Sequence, residues 1–328
     1  MIITRAPFRV SFCGGGSDLP SFYEKYGGCV LGTTIRKYMY ITIQNYFFKD
    51  RIMLKYSQTE EVSSYEEIEH RICKQCLKDF GLMGVEITSI ADIPAGTGLG
   101  SSSSFTVALL HLLHTYKGEY ISKYDLAKEA CDVEINRLGD PIGKQDQFAA
   151  AFGGLNYYEF MPNGTVNVEP IIMSGDSYNK LENNILMFYL GGTHSASAIL
   201  KEQSSNVKAV DKAQVQKKMC EITKVLKSEL QNNNVDAMGE LLHENWMLKK
   251  TLASGITNPV IDETYELAMK AGATGGKLLG AGGAGFMIFY VPEEKQADVR
   301  KALSHLREME FKMDNSGSSI IHIDRDYA

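Results

Sequence analysis

The segment that most limits how this chain can fold is DIPAGTGLGSSSS, which runs from Asp92 to Ser104. The preceding GVEITSIA (84–91) alternates apolar and polar residues as a strand does, and the following FTVALLHLLHTY (105–116) is a mostly apolar run of helical length. A single Ser or Asp would be enough to cap such a helix. The joint nevertheless contains three glycines and four serines, which indicates a role beyond capping.

The chemistry of this joint predicts an anion site. Glycines let the backbone approach a ligand closely, and a helix N-terminus offers unpaired N–H groups and a partial positive charge. The hydroxyls of Ser101–Ser104 can bind phosphate oxygens or a metal. The spacing matches neither a Walker loop nor the dinucleotide fingerprint. A glycine-rich turn alone does not exclude dinucleotide binding, and a flexible, well-capped turn is the alternative without a ligand.

Composition narrows the class of protein. A chain of 328 residues is long enough for two lobes. Its hydrophobic content of 44% and charged content of 23% are ordinary for a soluble globular protein. The net charge of −6 gives no indication of nucleic-acid or membrane binding, so an anionic substrate would need a local basic pocket. No stretch is apolar enough to span a membrane, and we expect a cytoplasmic location.

The order of predicted elements favours the α+β class. Strand-like sequence fills the first 60 residues, a charged helix is expected from Tyr65 to Phe80, and Ser122 with Asp125 forms a capping-box pattern. A hairpin (153–171) is expected to close a first lobe, residues 1–175. Helices dominate the second lobe, residues 176–328, together with a glycine loop that leads into a strand. The mixed order argues against a doubly wound parallel sheet.

The cysteines do not predict a metal or redox centre. Six are scattered along the chain, and the only close pair is Cys73 and Cys76. No second ligand pair accompanies them, and they lie in a predicted helix whose stripe is marked by Ile68, Ile72, Cys76 and Phe80. We therefore expect reduced, structural thiols.

Two further glycine-rich segments extend the pattern and carry a resemblance. RAPFRVSFCGGGSDLPSFYEKYGGCVL (5–31), PAGTGLGSSSS (94–104) and LLGAGGAGF (278–286) resemble, in order, the three motifs of the GHMP kinases. This family includes galactokinase, homoserine kinase, mevalonate kinase and phosphomevalonate kinase. The resemblance implies a two-lobed fold with the nucleotide and the substrate in the cleft between the lobes. It also implies ATP and Mg²⁺ as cofactors and an alcohol as phosphoryl acceptor.

Within the family, GGGSDLP (14–20) and GKQDQFAAAFGGLNYYEF (143–160) resemble the bacterial D-glycero-D-manno-heptose 7-phosphate kinases. These enzymes phosphorylate the anomeric hydroxyl to give the 1,7-bisphosphate for cell-surface polysaccharide precursors. Asp18 in a polar glycine loop favours a sugar over an isoprenoid alcohol. His194 departs from the pattern, which has an arginine in a comparable context. Another sugar such as fucose, another small alcohol, or a non-catalytic sugar- and ATP-binding regulator are the alternatives.

The resemblance assigns nucleotide and metal residues. The nucleotide would be bound by Gly96, Thr97, Gly98, Leu99, Gly100, Ser101, Ser102 and Ser103. Ser102 and Glu134 would be the Mg²⁺ ligands. Glu134 continues an apolar helix stripe, and burying an acid on such a face is unfavourable unless its charge is compensated. The alternative is an acid at the helix edge that reaches solvent.

The resemblance also assigns the catalytic and substrate residues. Asp146 would be the base that takes the sugar proton, and Arg9 would stabilise transferring charge. The alternatives are a helix-capping aspartate and a surface arginine on an edge strand. The expected substrate-binding residues are Gly15, Gly16, Ser17, Asp18, Asp146, Gly282 and Gly283. Galactokinases have an acid and a histidine where this chain has Gly15 and Gly16, which argues against galactose.

A phosphate on the substrate would need cations, and Arg36, Lys37 and Lys144 are the candidates. The third motif, 280–285, would shape the floor of the site, and a structural hairpin is the competing interpretation. The expected partners are ATP and a small sugar phosphate, without nucleic acid or membrane. The sequence is also compatible with a homodimer.

Overall fold

The computed structural model describes residues 1–192, 196–206 and 210–324. In these residues the strands are β1 (Ile2–Cys13), β2 (Gly28–Asn45), β3 (Ile52–Lys55), β4 (Thr59–Val62), β5 (Val85–Ala91), β6 (Asn156–Phe160), β7 (Val166–Pro170), β8 (Ile185–Tyr189), β9 (Gly275–Leu278), β10 (Phe286–Tyr290), β11 (Arg307–Met309), β12 (Met313–Asp314) and β13 (Ser319–Ile323). They form a nine-stranded and a four-stranded sheet. The predicted α+β class is confirmed.

The same residues contain the helices α1 (Pro20–Tyr26), α2 (Arg71–Phe80), α3 (Ser101–Tyr116), α4 (Lys123–Cys131), α5 (Gln145–Phe152), α6 (Gly175–Asn183), α7 (Ala196–Asn206), α8 (Val210–Gln231), α9 (Ala237–Lys249), α10 (Pro259–Lys270) and α11 (Gln296–Ala302). Short 3₁₀ turns occupy Tyr65–Glu67 and Glu293–Lys295, and a π-helix occupies Asp132–Arg137. No helix in the described part of the chain is long and apolar enough to cross a membrane.

The first sheet is organised around β2, the longest strand. Its spatial order is β13-β1-β2-β5-β3-β4, and β2 also pairs with β6 and β12 along its length. The β3–β5 pair is parallel and the other pairs are antiparallel. Helix α3 packs on β1 and β2, which explains why its apolar run shows no clear polar face. The predicted strand, phosphate-loop helix and hairpin therefore lie in one layered unit.

The second sheet has the order β11-β8-β10-β9. Its strands β8, β9 and β10 are buried on both faces, while the edge strand β11 is largely exposed. Because side chains alternate along a strand, Met187 of β8 faces the larger core while its neighbour Phe188 joins a second core around Trp246. Burial on both faces explains why the sequence of β8 is continuously apolar.

The predicted helix cap at Ser122 is confirmed. Ser122 caps α4, since its hydroxyl accepts a hydrogen bond from the Asp125 N–H at 3.1 Å. Cys73 and Cys76 are free and buried in α2. The expected helix over Tyr65–Phe80 is shorter than predicted, because a 3₁₀ turn precedes α2.

The last two strands, β12 and β13, return to the first sheet, where β13 pairs with β1 and β12 with β2. The expected boundary at residues 175 and 176 coincides with the start of α6. The division into lobes 1–175 and 176–328 remains a prediction.

Candidate active site

A cavity of about 410 Å³ opens between the glycine loop before α3 and the second sheet. Its lining comes from segments far apart in sequence. Among the lining residues are Arg9, Gly16, Asp18, Arg71, Gly96, Gly98, Gly100, Ser101, Ser102, Ser103, Asp140, Gln145, Asp146, Gln203, Lys249, Gly280 and Gly282. Polar and charged side chains thus converge with bare backbone in one concave site, as binding sites require.

The glycine loop requires its glycines. Gly96, Gly98 and Gly100 all have positive φ, of 76°, 85° and 74°, a region that other L-residues rarely adopt. Gly100 is the N-cap of α3 and has no side chain to occupy the first N–H groups of the helix. The unpaired N–H groups and the positive end of the helix dipole therefore face the cavity.

The loop packs tightly against the third glycine segment. A Cβ placed on Gly98 would lie 2.5 Å from the carbonyl oxygen of Leu279, and one on Gly280 would lie 2.6 Å from the Gly98 Cα. Only glycines permit this approach. The segment that we expected to form the floor of the site is therefore in direct contact with the phosphate loop, although Gly98 and Gly280 are 182 residues apart in sequence.

Arg9 and Asp146 form a bidentate ion pair at the cavity wall. The Arg9 Nε donates to Asp146 Oδ1 at 2.7 Å, and its Nη2 donates to Oδ2 at 2.8 Å. The remaining Arg9 Nη1 donates to the Gly98 carbonyl at 2.5 Å. β1 lies between β13 and β2, so Arg9 is not a surface residue of an edge strand. Asp146 lies in the first turn of α5, whose N-cap is Lys144.

Asp18 is the second carboxylate of the cavity, and unlike Asp146 it is buried. Its Oδ1 accepts from the Gly16 N–H at 3.0 Å and its Oδ2 from the Gln145 N–H at 3.2 Å. Burial raises the pKa of Asp18, and the neighbouring Asp146 raises it further, while these backbone hydrogen bonds lower it. Asp18 is thereby held rigidly with oxygen atoms that can accept from a ligand hydroxyl.

Glu134 lies beneath the phosphate loop and does not reach solvent. Its Oε1 accepts from the Ser102 hydroxyl at 3.0 Å and its Oε2 from the Gln147 amide at 2.6 Å. Burial raises the pKa of Glu134 to about 7, against the lowering effect of these hydrogen bonds and one from Ser103. The π-helix that carries Glu134 is a distortion frequently found at functional sites.

The Ser102–Glu134 pair suits a magnesium ion. Among residues 1–192, 196–206 and 210–324, no cluster of three or more His, Cys, Asp or Glu side chains could hold a metal. Mg²⁺ does not need such a cage, since it usually takes one or two protein oxygens and completes its shell with water and substrate phosphates. A hydroxyl oxygen and a buried carboxylate beside a phosphate loop fit this chemistry.

Some expected residues do not line the cavity. Thr97 and Leu99 are buried, with the Thr97 hydroxyl donating to the Pro94 carbonyl at 3.0 Å. The Ser17 hydroxyl donates to the carbonyl of Cys29 at 2.8 Å and accepts from its N–H at 2.9 Å. These side chains shape the loops from behind. Gly15 and Gly283 also lie outside the lining, next to the lining residues Gly16 and Gly282.

The cations expected to meet a substrate phosphate lie elsewhere. Arg36 donates to the Met313 carbonyl at 3.1 Å, and Lys144 donates to the Gly164 carbonyl at 2.7 Å. Neither of them lines the cavity, and neither does Lys37. His194 lies outside the described residues.

Sequence reasoning missed three side chains of the cavity, namely the buried Gln203 and Lys249 and the half-buried Gln145. The side-chain carbonyl oxygens of Gln145 and Gln203 have no hydrogen-bond partner within the described residues. Buried polar atoms without a partner are rare, so both are available to a ligand. Lys249 could have been noticed, because it continues the helical stripe of Leu242 and Trp246.

Comparison with known proteins agrees with the motifs. Residues 68–154 match the family profile "GHMP kinases N terminal domain", and residues 226–310 match "GHMP kinases C terminal". The chain is 28% identical to a D-glycero-alpha-D-manno-heptose 7-phosphate kinase from Campylobacter jejuni, over 92% of this chain and 93% of the relative. It is 27% identical to the bifunctional fucokinase/GDP-fucose pyrophosphorylase of Arabidopsis thaliana, over 94% of this chain but 32% of that enzyme.

A solved structure shows the same fold. The crystal structure of a D-glycero-D-manno-heptose 1-phosphate kinase from Bacteroides thetaiotaomicron has a TM-score of 0.80 and 27% identity, covering 99% of this chain and 100% of the other. The family profiles, the relatives and the shared fold agree with the three glycine motifs around one cavity. The chain belongs to the GHMP kinases, which transfer a phosphoryl group from ATP to an alcohol acceptor, and is a sugar kinase of that family.

Proposed function

We propose that this sugar kinase phosphorylates the anomeric hydroxyl of D-glycero-D-manno-heptose 7-phosphate, and so supplies the 1,7-bisphosphate for cell-surface polysaccharide precursors. The choice of sugar is supported by similarity to the Campylobacter jejuni enzyme over nearly the whole chain. The observation that carries the chemistry is the Arg9–Asp146 pair, which faces the cavity beside the phosphate loop.

The phosphate loop binds the triphosphate of ATP through backbone. The N–H groups at the start of α3 point into the cavity, and Gly96, Gly98 and Gly100 expose further backbone. Ser102 and Glu134 would hold Mg²⁺ through their side-chain oxygens, which lie 3.0 Å apart. When bound, Mg²⁺ neutralises charge on the phosphates. The ionised carboxylate of Glu134 is unfavourable in its buried position, and the ion would supply the opposite charge that compensates it.

Asp146 accepts the proton of the sugar hydroxyl. A carboxylate has about four lone-pair positions, and Arg9 occupies one on each oxygen. The other positions are free for the anomeric O–H. Arg9 also fixes the carboxylate plane, so the base does not need to reorient. Phosphoryl transfer depends mainly on positioning and electrostatics. The Arg9 guanidinium, anchored to the Gly98 carbonyl, therefore stabilises the negative charge on the transferring phosphoryl group.

Asp18 orients the sugar by accepting hydrogen bonds from its hydroxyls, with Gln145 and Gln203 offering further acceptors. The cationic lining residues are Arg9, Arg71 and Lys249. Arg9 is held by Asp146, and Lys249 is deeply buried. Arg71 is largely exposed and has Asp140 as its ion partner at 3.0 Å, so it is the cation that a phosphate at the open end of the cavity would meet.

The test is release of ADP with ATP, Mg²⁺ and a panel of acceptors: heptose 7-phosphate, unphosphorylated heptose, mannose, fucose, galactose and mevalonate. Asp146→Asn is run alongside, because Asn keeps the shape but not the basicity of the acid. We expect a loss of about 10²–10⁴ in kcat, the range for removal of a general base. Asp132→Asn is the matched control, since Asp132 pairs with Arg137 on the surface.

Turnover confined to heptose 7-phosphate, lost in Asp146→Asn and kept in Asp132→Asn, supports both the sugar and the base. Turnover of fucose or another acceptor instead discards the heptose assignment and leaves the kinase chemistry intact. Full activity in Asp146→Asn removes Asp146 as the base. Binding of ATP and sugar without any turnover would favour a regulator.

A further inference from the structure

We propose that Lys249 is a further catalytic residue, which contacts the phosphoryl group while it passes from ATP to the sugar. The proposal rests on the sugar-kinase reaction but not on the identity of the sugar. It goes beyond the motif residues, because Lys249 lies at the end of α9 in the second half of the chain and belongs to none of the three glycine motifs.

The ammonium group of Lys249 is buried with donors to spare. The residue is 4% exposed and lines the cavity. Its Nζ donates to the Gly280 carbonyl at 3.1 Å, the one hydrogen bond that the described residues offer it. An ammonium carries three N–H donors, so two remain. Burying a charge without full compensation is unfavourable, and the cavity side is where further acceptors can come from.

The position of Lys249 is next to the reacting atoms. Its acceptor Gly280 abuts Gly98 of the phosphate loop, and the Gly98 carbonyl in turn accepts from Arg9. Burial lowers the pKa of Lys249, and Asp18 and Asp146 lie near enough to offset part of that lowering. The ammonium therefore lies between the loop expected to hold the triphosphate and the carboxylates expected to hold the sugar.

Two other lysines show that this arrangement is particular to Lys249. Lys250, its neighbour in sequence, points away and pairs with Asp262 at 3.1 Å. Lys277 is equally buried but donates to the Ser11 carbonyl at 2.8 Å and does not line the cavity. Of the three, only Lys249 combines burial with access to the site.

The reaction needs no further reactant. The sugar oxygen gives its proton to Asp146 and forms a bond to the γ-phosphorus, while the bond from that phosphorus to the β,γ-bridging oxygen breaks and ADP leaves with the electron pair. Negative charge on the transferring oxygens is greatest in this interval. Donors already oriented toward that charge lower the barrier without reorganisation. Lys249 and Arg9 would supply such donors from opposite lobes.

The experiment compares Lys249→Met with Lys250→Met, using whichever acceptor of the panel turns over, and the slow hydrolysis of ATP by water as a second reaction. We expect kcat of Lys249→Met to fall about 100-fold, the typical loss of one charge-stabilising donor. The KM values for ATP and sugar should change less than about threefold, because the contact is made in the transition state. Lys250→Met should match the wild type.

Lys249→Ala distinguishes loss of the amino group's chemistry from loss of its structural contacts. Small primary amines such as ethylamine should restore part of its kcat and should do nothing for Asp146→Asn. Loss of kcat with amine rescue supports the proposal. An unchanged kcat, a loss confined to the KM of the sugar, or a loss that amines do not rescue in folded Lys249→Ala overturns it. Failure of heptose as substrate leaves this test in place, since the acceptor is chosen by turnover.

Discussion

Replacing Lys249 by methionine should stabilise the protein while it inactivates the enzyme. Burial lowers the pKa of Lys249 from its ordinary 10.5 to about 8. Since each tenfold change in proton affinity corresponds to about 1.4 kcal/mol, the buried ammonium destabilises the folded state by about 3 kcal/mol at neutral pH. Methionine has a similar length but forfeits the hydrogen bond to Gly280, which is worth about 1 kcal/mol. The net gain is roughly 2 kcal/mol.

The gain should depend on pH with a definite sign. Below pH 8 the lysine is protonated in both the folded and the unfolded chain, and the destabilisation is complete. Between pH 8 and 10.5 the unfolded chain binds more protons, so the stability of the wild type rises with pH. The advantage of Lys249→Met should therefore shrink over this interval. The charged groups that face Lys249 are Asp18, Asp146, Arg9 and Lys277, and all four are common to both proteins.

The assay is equilibrium urea unfolding of the wild type, Lys249→Met and Lys250→Met at pH 7.5 and 9.5. Lys250→Met controls for loss of a lysine at the same helix end, and we expect it to change stability by less than about 1 kcal/mol, as for an exposed ion pair. A Lys249→Met protein less stable than the wild type at pH 7.5 would refute the reasoning. A difference between the two proteins that does not vary with pH would refute it equally.

Two predictions concern the loop and the surface. Gly98→Ala should raise the KM for ATP at least about tenfold, because its Cβ would meet the Leu279 carbonyl at 2.5 Å. Gly118→Ala has a comparable positive φ but open space around it, so steady-state kinetics should show no such effect. The hydrogen bond to Glu129 raises the pKa of His114. The hydrogen-bonded, protonated His114 should stabilise the folded chain below pH 6.5, and this stabilisation should be lost as the pH rises through the raised pKa. The unfolding midpoint of the wild type should therefore fall over that range, and the midpoint of His114→Gln should fall less.

The local sequence was sufficient to predict those structural features that depend only on residues close together in the chain. The phosphate loop could be predicted because positive φ values and a bare helix N-terminus both require glycine at fixed places, here Gly96, Gly98 and Gly100. The cap at Ser122 and the strand character of β5 are equally local. The assignments of Arg9, Glu134 and Asp146 came from resemblance to the family, since composition and spacing alone left ordinary structural roles open for each of them.

Tertiary structure alone decided which distant groups meet. Arg9 and Asp146 are 137 residues apart, and Ser102 and Glu134 are 32 apart. Their hydrogen bonds follow from how α3 and α5 pack on the first sheet and how α4 packs on these two helices. Lys249 was overlooked because a lysine near a helix end normally reaches solvent. The physical reason is that local propensities depend on backbone conformation over a few residues. Burial, unpaired donors and shifted proton affinity depend on what the rest of the chain places around a side chain.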